Sequence, residues 1–178
     1  MREILSLLIP VVALFFMALP RESSAKGLSD LKLDELHQKA PELEIISPDG
    51  KHTLLSQLTS GKPLILHFWA TWCASCEKEL PQLVSLSQKW TQDGIQFVAV
   101  SVDQPEKKIE VLKFASKLRA KFPVWMAAHP EQAQSYWAWG LPMTYFINAK
   151  GMIVDRAMGA KDWSSVSEPE LRKLLQKR

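Results

Sequence analysis

The chain of 178 residues predicts an α/β fold: a central mixed sheet flanked by helices, with a β-hairpin added on its N-terminal side. Three observations predict it. Leu64-Ile65-Leu66-His67-Phe68-Trp69 is an almost unbroken apolar run of strand length, the pattern of a strand covered on both faces. Ile95 to Val102 repeats that pattern, and helical periodicity fills the interval between the two. Strands and helices then alternate as β-α-β-α followed by β-β-α, which places helices on both faces of one sheet. Hydrophobic residues make up 47% and charged residues 23%, the composition of a chain that buries a core.

The elements follow in order. Residues 1–25 read as a signal peptide: Ile4 to Leu19 is sixteen residues without a charge, and polar and small residues follow as far as Ala25. The run falls short of the ~20 residues of a spanning helix, so a cleaved signal is favoured over a retained N-terminal anchor. Residues 26–40 form a polar lead-in segment, read as an amphipathic helix or a loose arm, and residues 41–178 form the domain. Leu43 to Ile46 and Lys51 to Leu55 are the arms of a hairpin around Ser47-Pro48-Asp49-Gly50, where Pro fixes φ and Gly takes the strained position. Ser56 to Thr59 is a short helical turn before the Leu64 to Trp69 strand.

Helix is expected from Cys73 to Trp90, with a kink at Pro81 and an end at Asp93-Gly94. A helix from Pro105 to Lys121, a short extended piece from Phe122 to Met126 and a short helix from Pro130 to Trp139 come next. Met143 to Ile147 and Met152 to Met158 form a second hairpin around Asn148 to Gly151. Ser167-Glu168-Pro169-Glu170 is a capping box that opens the last helix.

Charge excludes one class of partner. The net charge is only +3, and basic residues are interleaved with Asp and Glu, so no stripe for nucleic acid is present. The chain has two cysteines, Cys73 and Cys76. An exported protein commonly uses a cysteine pair as a staple. A staple across so short a loop removes little entropy from the unfolded chain, which favours redox chemistry instead. A zinc site needs four ligands, and the sequence offers no second CxxC and no close His pair.

The chemistry follows from position. Cys73 stands where a buried strand gives way to a helix. There the free N–H groups and the dipole of the helix N-terminus stabilise a thiolate, so Cys73 is the attacking thiol. Cys76, one turn inward, is the resolving thiol. Ala74 and Ser75 between them carry no positive charge, which points to a moderately acidic thiol and a reducing protein.

Phe68-Trp69-Ala70-Thr71-Trp72-Cys73-Ala74-Ser75-Cys76 resembles the active-site stretch of thioredoxin-fold proteins. The Pro-Asp-Gly hairpin, the spacing from Cys73 through Glu79 to Pro81, and Gly140-Leu141-Pro142-Met143-Thr144-Tyr145 resemble the exported TlpA/ResA/CcmG (DsbE)-like branch. The likeness runs from about Ala40 to Arg178 and implies a thioredoxin-like fold and thiol–disulfide oxidoreductase activity, with no cofactor beyond the Cys73–Cys76 pair. It implies a cis peptide before Pro142, facing the cysteines, whose exposed edge pairs with an extended client.

The resemblance also implies an acid near the active site at Glu79, able to raise the cysteine pKa values by like charge and to accept a proton. At the place of His67 the family carries an Asp or an amide. A His there is either a proton relay to Cys76 or a neutral, hydrogen-bonded core residue, and the sequence leaves both open. Trp72, Leu141 and Trp139 are candidates for a substrate groove. Client protein thiols and disulfides are the implied partners, apocytochrome c among them. A membrane electron donor of the DsbD/CcdA type and a location in the periplasm or at the extracytoplasmic face of the membrane complete the expectation.

Two alternatives use the same scaffold. A copper-delivery protein would hold Cu(I) with two thiolates and a His, but that branch wants wider cysteine spacing and a third ligand. A thiol peroxidase needs a Thr three residues before its cysteine and a nearby Arg, whereas Thr71 is two residues before Cys73.

Overall fold

A computed structural model describes residues 27–28, 34–59, 61–120, 122–136, 138 and 140–177. The expected signal segment 1–25, together with Trp137 and Trp139, lies outside the described residues.

The apolar run at Leu64–Trp69 forms β4, every residue of which is buried. It pairs in parallel with β5 (Gln96–Ser101) and antiparallel with β7 (Met143–Ile147). Side chains alternate across it. Ile65 and Trp69 enter one core cluster, and Leu64, Leu66 and Phe68 enter the other. Each large apolar side chain sealed in this way contributes roughly 2 kcal/mol of burial. β6 (Val124–Ala127) continues the parallel side next to β5, and β8 (Met152–Met158) continues the antiparallel side next to β7.

The expected N-terminal hairpin is present as β2 (Glu44–Ile46) and β3 (His52–Leu54), docked through β2 on β6. Its turn needs a left-handed residue, and Gly50 supplies it at φ 90°. The lead-in segment corrects the sequence reading. Asp34–Lys39 is neither helix nor loose arm but an edge strand, β1, paired antiparallel with β8. Among the described residues the sheet therefore has eight strands, in the order β1-β8-β7-β4-β5-β6-β2-β3.

Helices cover both faces. α2 (Ala74–Gln92), α3 (Lys108–Lys117) and α4 (Glu168–Leu175) supply Leu83, Val111 and Leu171 to the cluster that holds Ile65 and Trp69. On the other face α1 (Leu55–Thr59) and a 3-10 turn at Pro130–Tyr136 supply Leu55 and Tyr136. α2 runs unbroken through Pro81, which removes one helical N–H donor from the turn before it. It ends at Asp93, with Gly94 left-handed at φ 78°. α4 begins with the expected capping box, in which the Ser167 N–H and hydroxyl both donate to the Glu170 carboxylate at 3.2 and 2.7 Å.

Candidate active site

The strand β4 ends at Trp69, and four residues, Ala70 to Cys73, turn the chain into α2. A buried carboxylate fixes that turn. Asp103, just beyond β5, accepts the Thr71 N–H at 2.8 Å, the Thr71 hydroxyl at 2.7 Å and the Ser101 hydroxyl at 2.7 Å. Its own N–H donates to Ser101 Oγ at 3.0 Å. The Val102 N–H adds a bond to the Trp69 carbonyl at 2.9 Å. The loop that presents the cysteines is thus tied to the neighbouring strand by both backbone and side chain.

Cys73 is the N-cap of α2, with extended backbone, and its Sγ accepts the Cys76 N–H at 3.2 Å. A sulfur at this position sits where the first-turn N–H groups converge, so negative charge on it is favoured. Cys73 and Cys76 form a disulfide, with their Cα atoms 5.2 Å apart. Cys73 keeps 6% of its surface exposed, whereas Cys76 is at 0%. The outer sulfur is therefore the one an incoming partner meets. Trp72, beside it, is 67% exposed, while Trp69 is buried and stacks on Phe114 at 5.6 Å.

The Leu141–Pro142 peptide is cis, as the resemblance implies. The Leu141 carbonyl accepts a hydrogen bond from Ser75 Oγ at 3.4 Å, and the same Oγ lies 3.4 Å from Cys73 Sγ. This contact places Leu141 against the dithiol. The Gly159 N–H donates to the Pro142 carbonyl at 2.9 Å and holds the Pro142 segment to the end of β8. Trp139, the remaining groove candidate, lies outside the described residues.

His67 and Glu79 are both in the core under α2. His67 has no exposed surface; its Nδ1 is 2.9 Å from Thr144 Oγ1, and its Nε2 has no hydrogen-bond partner among the described residues. Burial pushes its pKa down to about 3, so the ring is neutral across the physiological range. Glu79 lies three residues after Cys76 on the buried face of α2 and is 3% exposed. Burial pushes its pKa up to about 7, against a hydrogen bond donated by Trp163 Nε1 and the backbone and charge of Lys161. Its carboxyl therefore exchanges a proton near neutrality.

Sequence reasoning missed Asp103, Ser75 and Trp163. A Ser-x-Asp directly after a buried strand was the available signal for the first. Nothing local marked the other two. Among the described residues no group of three His, Cys, Asp or Glu side chains is placed to hold a metal ion. A groove of about 640 Å³ opens at the far end of β4, between Lys39, Glu42, Leu64 and Lys150, away from the disulfide.

Residues 36–156 match the model of the AhpC/TSA family. The protein named Thiol-disulfide oxidoreductase ResA from Bacillus cereus (strain ZK / E33L) is 30% identical over 131 residues, 74% of each chain. Its namesake from Bacillus subtilis (strain 168) is 33% identical over 129 residues, 72% of this chain and 70% of that one. Among solved structures, the thiol:disulfide interchange protein of Chlorobium tepidum TLS, described as a thioredoxin family protein, superposes with a TM-score of 0.60 at 26% identity. The match covers 80% of this chain and 97% of that one.

Proposed function

The chain belongs to the AhpC/TSA family, has the thioredoxin-like fold and is a thiol–disulfide oxidoreductase, and from that premise we propose that it reduces client protein disulfides outside the cytoplasm. The observation that carries this reading is the asymmetry of the pair: one sulfur at the helix cap in a residue that keeps 6% of its surface exposed, the other fully buried one turn inward.

The cycle balances with these groups and solvent water. Cys73 thiolate attacks one sulfur of a client disulfide; a mixed disulfide forms, and the other client sulfur leaves as a thiolate and takes a proton from water. Cys76 then gives its proton to the Glu79 carboxylate and attacks Cys73 Sγ. The bond to the client breaks, and the second client sulfur leaves as a thiolate that takes up the proton held by Glu79. Two electrons and two protons have passed to the client, and the Cys73–Cys76 disulfide remains. A dithiol donor in the membrane, of the DsbD/CcdA type, returns the two electrons. His67 holds the strand as a neutral core residue, because its ring binds a proton too weakly to relay one at pH 7. Trp72 and the Leu141–Pro142 edge receive the client chain.

The direction of flow rests on the absence of a cation between the cysteines, where Ala74 and Ser75 stand. Equilibration of the pair with a redox buffer tests it. A potential near that of thioredoxin, about −270 mV, is expected, and one near −120 mV would make the protein an oxidant. The finer client assignment is the cysteine pair of an apocytochrome c. Reduction of an oxidised Cys-x-x-Cys-His peptide faster than of an unrelated disulfide peptide supports it, and equal rates count against it. Residues 1–25 carry the protein out of the cytoplasm as a cleaved signal, which N-terminal sequencing of the secreted form checks.

A further inference from the structure

Ser75 Oγ touches both halves of the site: Cys73 Sγ at 3.4 Å and the Leu141 carbonyl at 3.4 Å. A hydroxyl has a single proton to donate. In the disulfide state neither acceptor holds it firmly. A disulfide sulfur is a weak acceptor, and 3.4 Å is long for O–H···O. Reduction changes one acceptor only. Cys73 becomes a thiolate, already receiving the Cys76 N–H at 3.2 Å, and a charged acceptor draws a donor far more strongly than a carbonyl does.

We infer that Ser75 is a catalytic residue that switches its hydrogen bond with redox state: to the Cys73 thiolate when the protein is reduced, and to the Leu141 carbonyl when it is oxidised. This rests on the dithiol reading above. No covalent bond to Ser75 forms or breaks; only its donated proton turns. In the reduced state the turn steadies the nucleophile and leaves the Leu141 carbonyl open to an N–H of the client chain. In the oxidised state the hydroxyl returns to that carbonyl and competes with the client, which favours release of the product.

Two variants test it. In reduced Ser75→Ala the midpoint of the Cys73 alkylation profile is expected to rise by about one pH unit, the worth of a hydrogen bond to a charged group. A less acidic thiol is intrinsically a better nucleophile, with a Brønsted slope of about 0.45. Attack on a small disulfide therefore crosses over: roughly threefold slower than wild type at pH 6 and roughly threefold faster at pH 10. Ser75→Thr keeps the hydroxyl and restores the wild-type profile. Oxidised Ser75→Ala binds a reduced client peptide about threefold more tightly than oxidised wild type, because nothing competes for Leu141.

The other titratable side chains on α2 and β4 and just beyond β5 are Cys76, Glu77, Lys78, Glu79 and Lys89 on α2, His67 on β4 and Asp103 after β5, and all are unchanged in these variants. A packing defect slows the reaction at every pH and gives no crossover. Coincident profiles for Ser75→Ala and wild type, a Ser75→Thr profile shifted as far as that of the alanine, or equal peptide affinities overturn the inference. Alkylation needs no client. A shifted midpoint in a protein that reduces no protein disulfide overturns the functional reading alone, and an unshifted midpoint in an active reductase overturns this one alone.

Discussion

His67 and Glu79 lie in one aromatic-lined core, and burial drives them in opposite directions. Glu79 bonds Trp163, Trp163 packs on Trp90, Trp90 on Phe97, and Phe97 stacks against His67. Desolvation holds the imidazole down at about 3 and the carboxyl up at about 7. At pH 7 the imidazole is therefore neutral and the carboxyl about half ionised, and only the carboxyl is close enough to its midpoint to trade a proton with a thiol. The sequence makes His67 the more conspicuous candidate, since its free pKa is the physiological one. The core reverses the two roles.

The largest effect that can break this comparison is kinetic. Glu79→Gln removes the proposed acceptor for the Cys76 proton, and general base contributions of 10²–10⁴ place the expected loss of protein disulfide reduction at tenfold or more near pH 8. The inflection near pH 7 in the wild-type rate profile disappears with it. His67→Asn keeps that inflection, with rates within about twofold. If the histidine variant loses the inflection and the glutamine variant keeps it, the assignment is reversed.

Stability offers the next test, through opposed linkages. The folded pKa of His67 lies below its unfolded value of 6.5, so the unfolded chain binds the extra proton and stability is lost as pH falls from 6.5 toward 3. The folded pKa of Glu79 lies above its unfolded value of 4.5, so stability is lost as pH rises from 4.5 toward 7. Between those unfolded values the two slopes, each about 1.4 kcal/mol per pH unit, cancel in the wild type. Urea unfolding in stepped buffers should unmask them. Glu79→Gln loses about 3 kcal/mol as pH drops across that window, and His67→Asn gains about as much. Flat curves for both variants would remove the burial argument.

Asp103 sharpens the contrast from a third direction, because both its carboxylate oxygens accept hydrogen bonds, whereas His67 Nε2 and Glu79 Oε2 have no partner among the described residues. Three donors surround it, and its own backbone N–H donates to Ser101 Oγ. Asp103→Ala leaves the Thr71 and Ser101 donors unpaired and should cost about 2 kcal/mol, read by the same unfolding assay. A cost below about 0.5 kcal/mol would mean that the loop before Cys73 is held by its backbone alone.

Local chemistry explains what could be read in advance. Strand β4, the turn at Gly50, the capping box at Ser167 and the cysteine pair are each written in fewer than about ten consecutive residues, the range over which periodicity and turn rules act. Asp34–Lys39 is different. Its polar sequence carries no strand signal, and its conformation is imposed by an edge that β8 leaves open. The Glu79–Trp163 bond joins residues 84 apart, and the Asp103–Thr71 clamp joins residues 32 apart. Only the folded sheet brings such partners together. Ser75 was legible as an uncharged spacer, whereas its second contact depends on a chain segment 66 residues away.

The most direct measurement of the central claim is covalent capture. Cys76→Ser protein, reduced and mixed with an oxidised client, should accumulate a stable adduct through Cys73, visible by mass spectrometry and released by dithiothreitol. Absence of an adduct, with Cys73 still free to alkylate, would contradict the account.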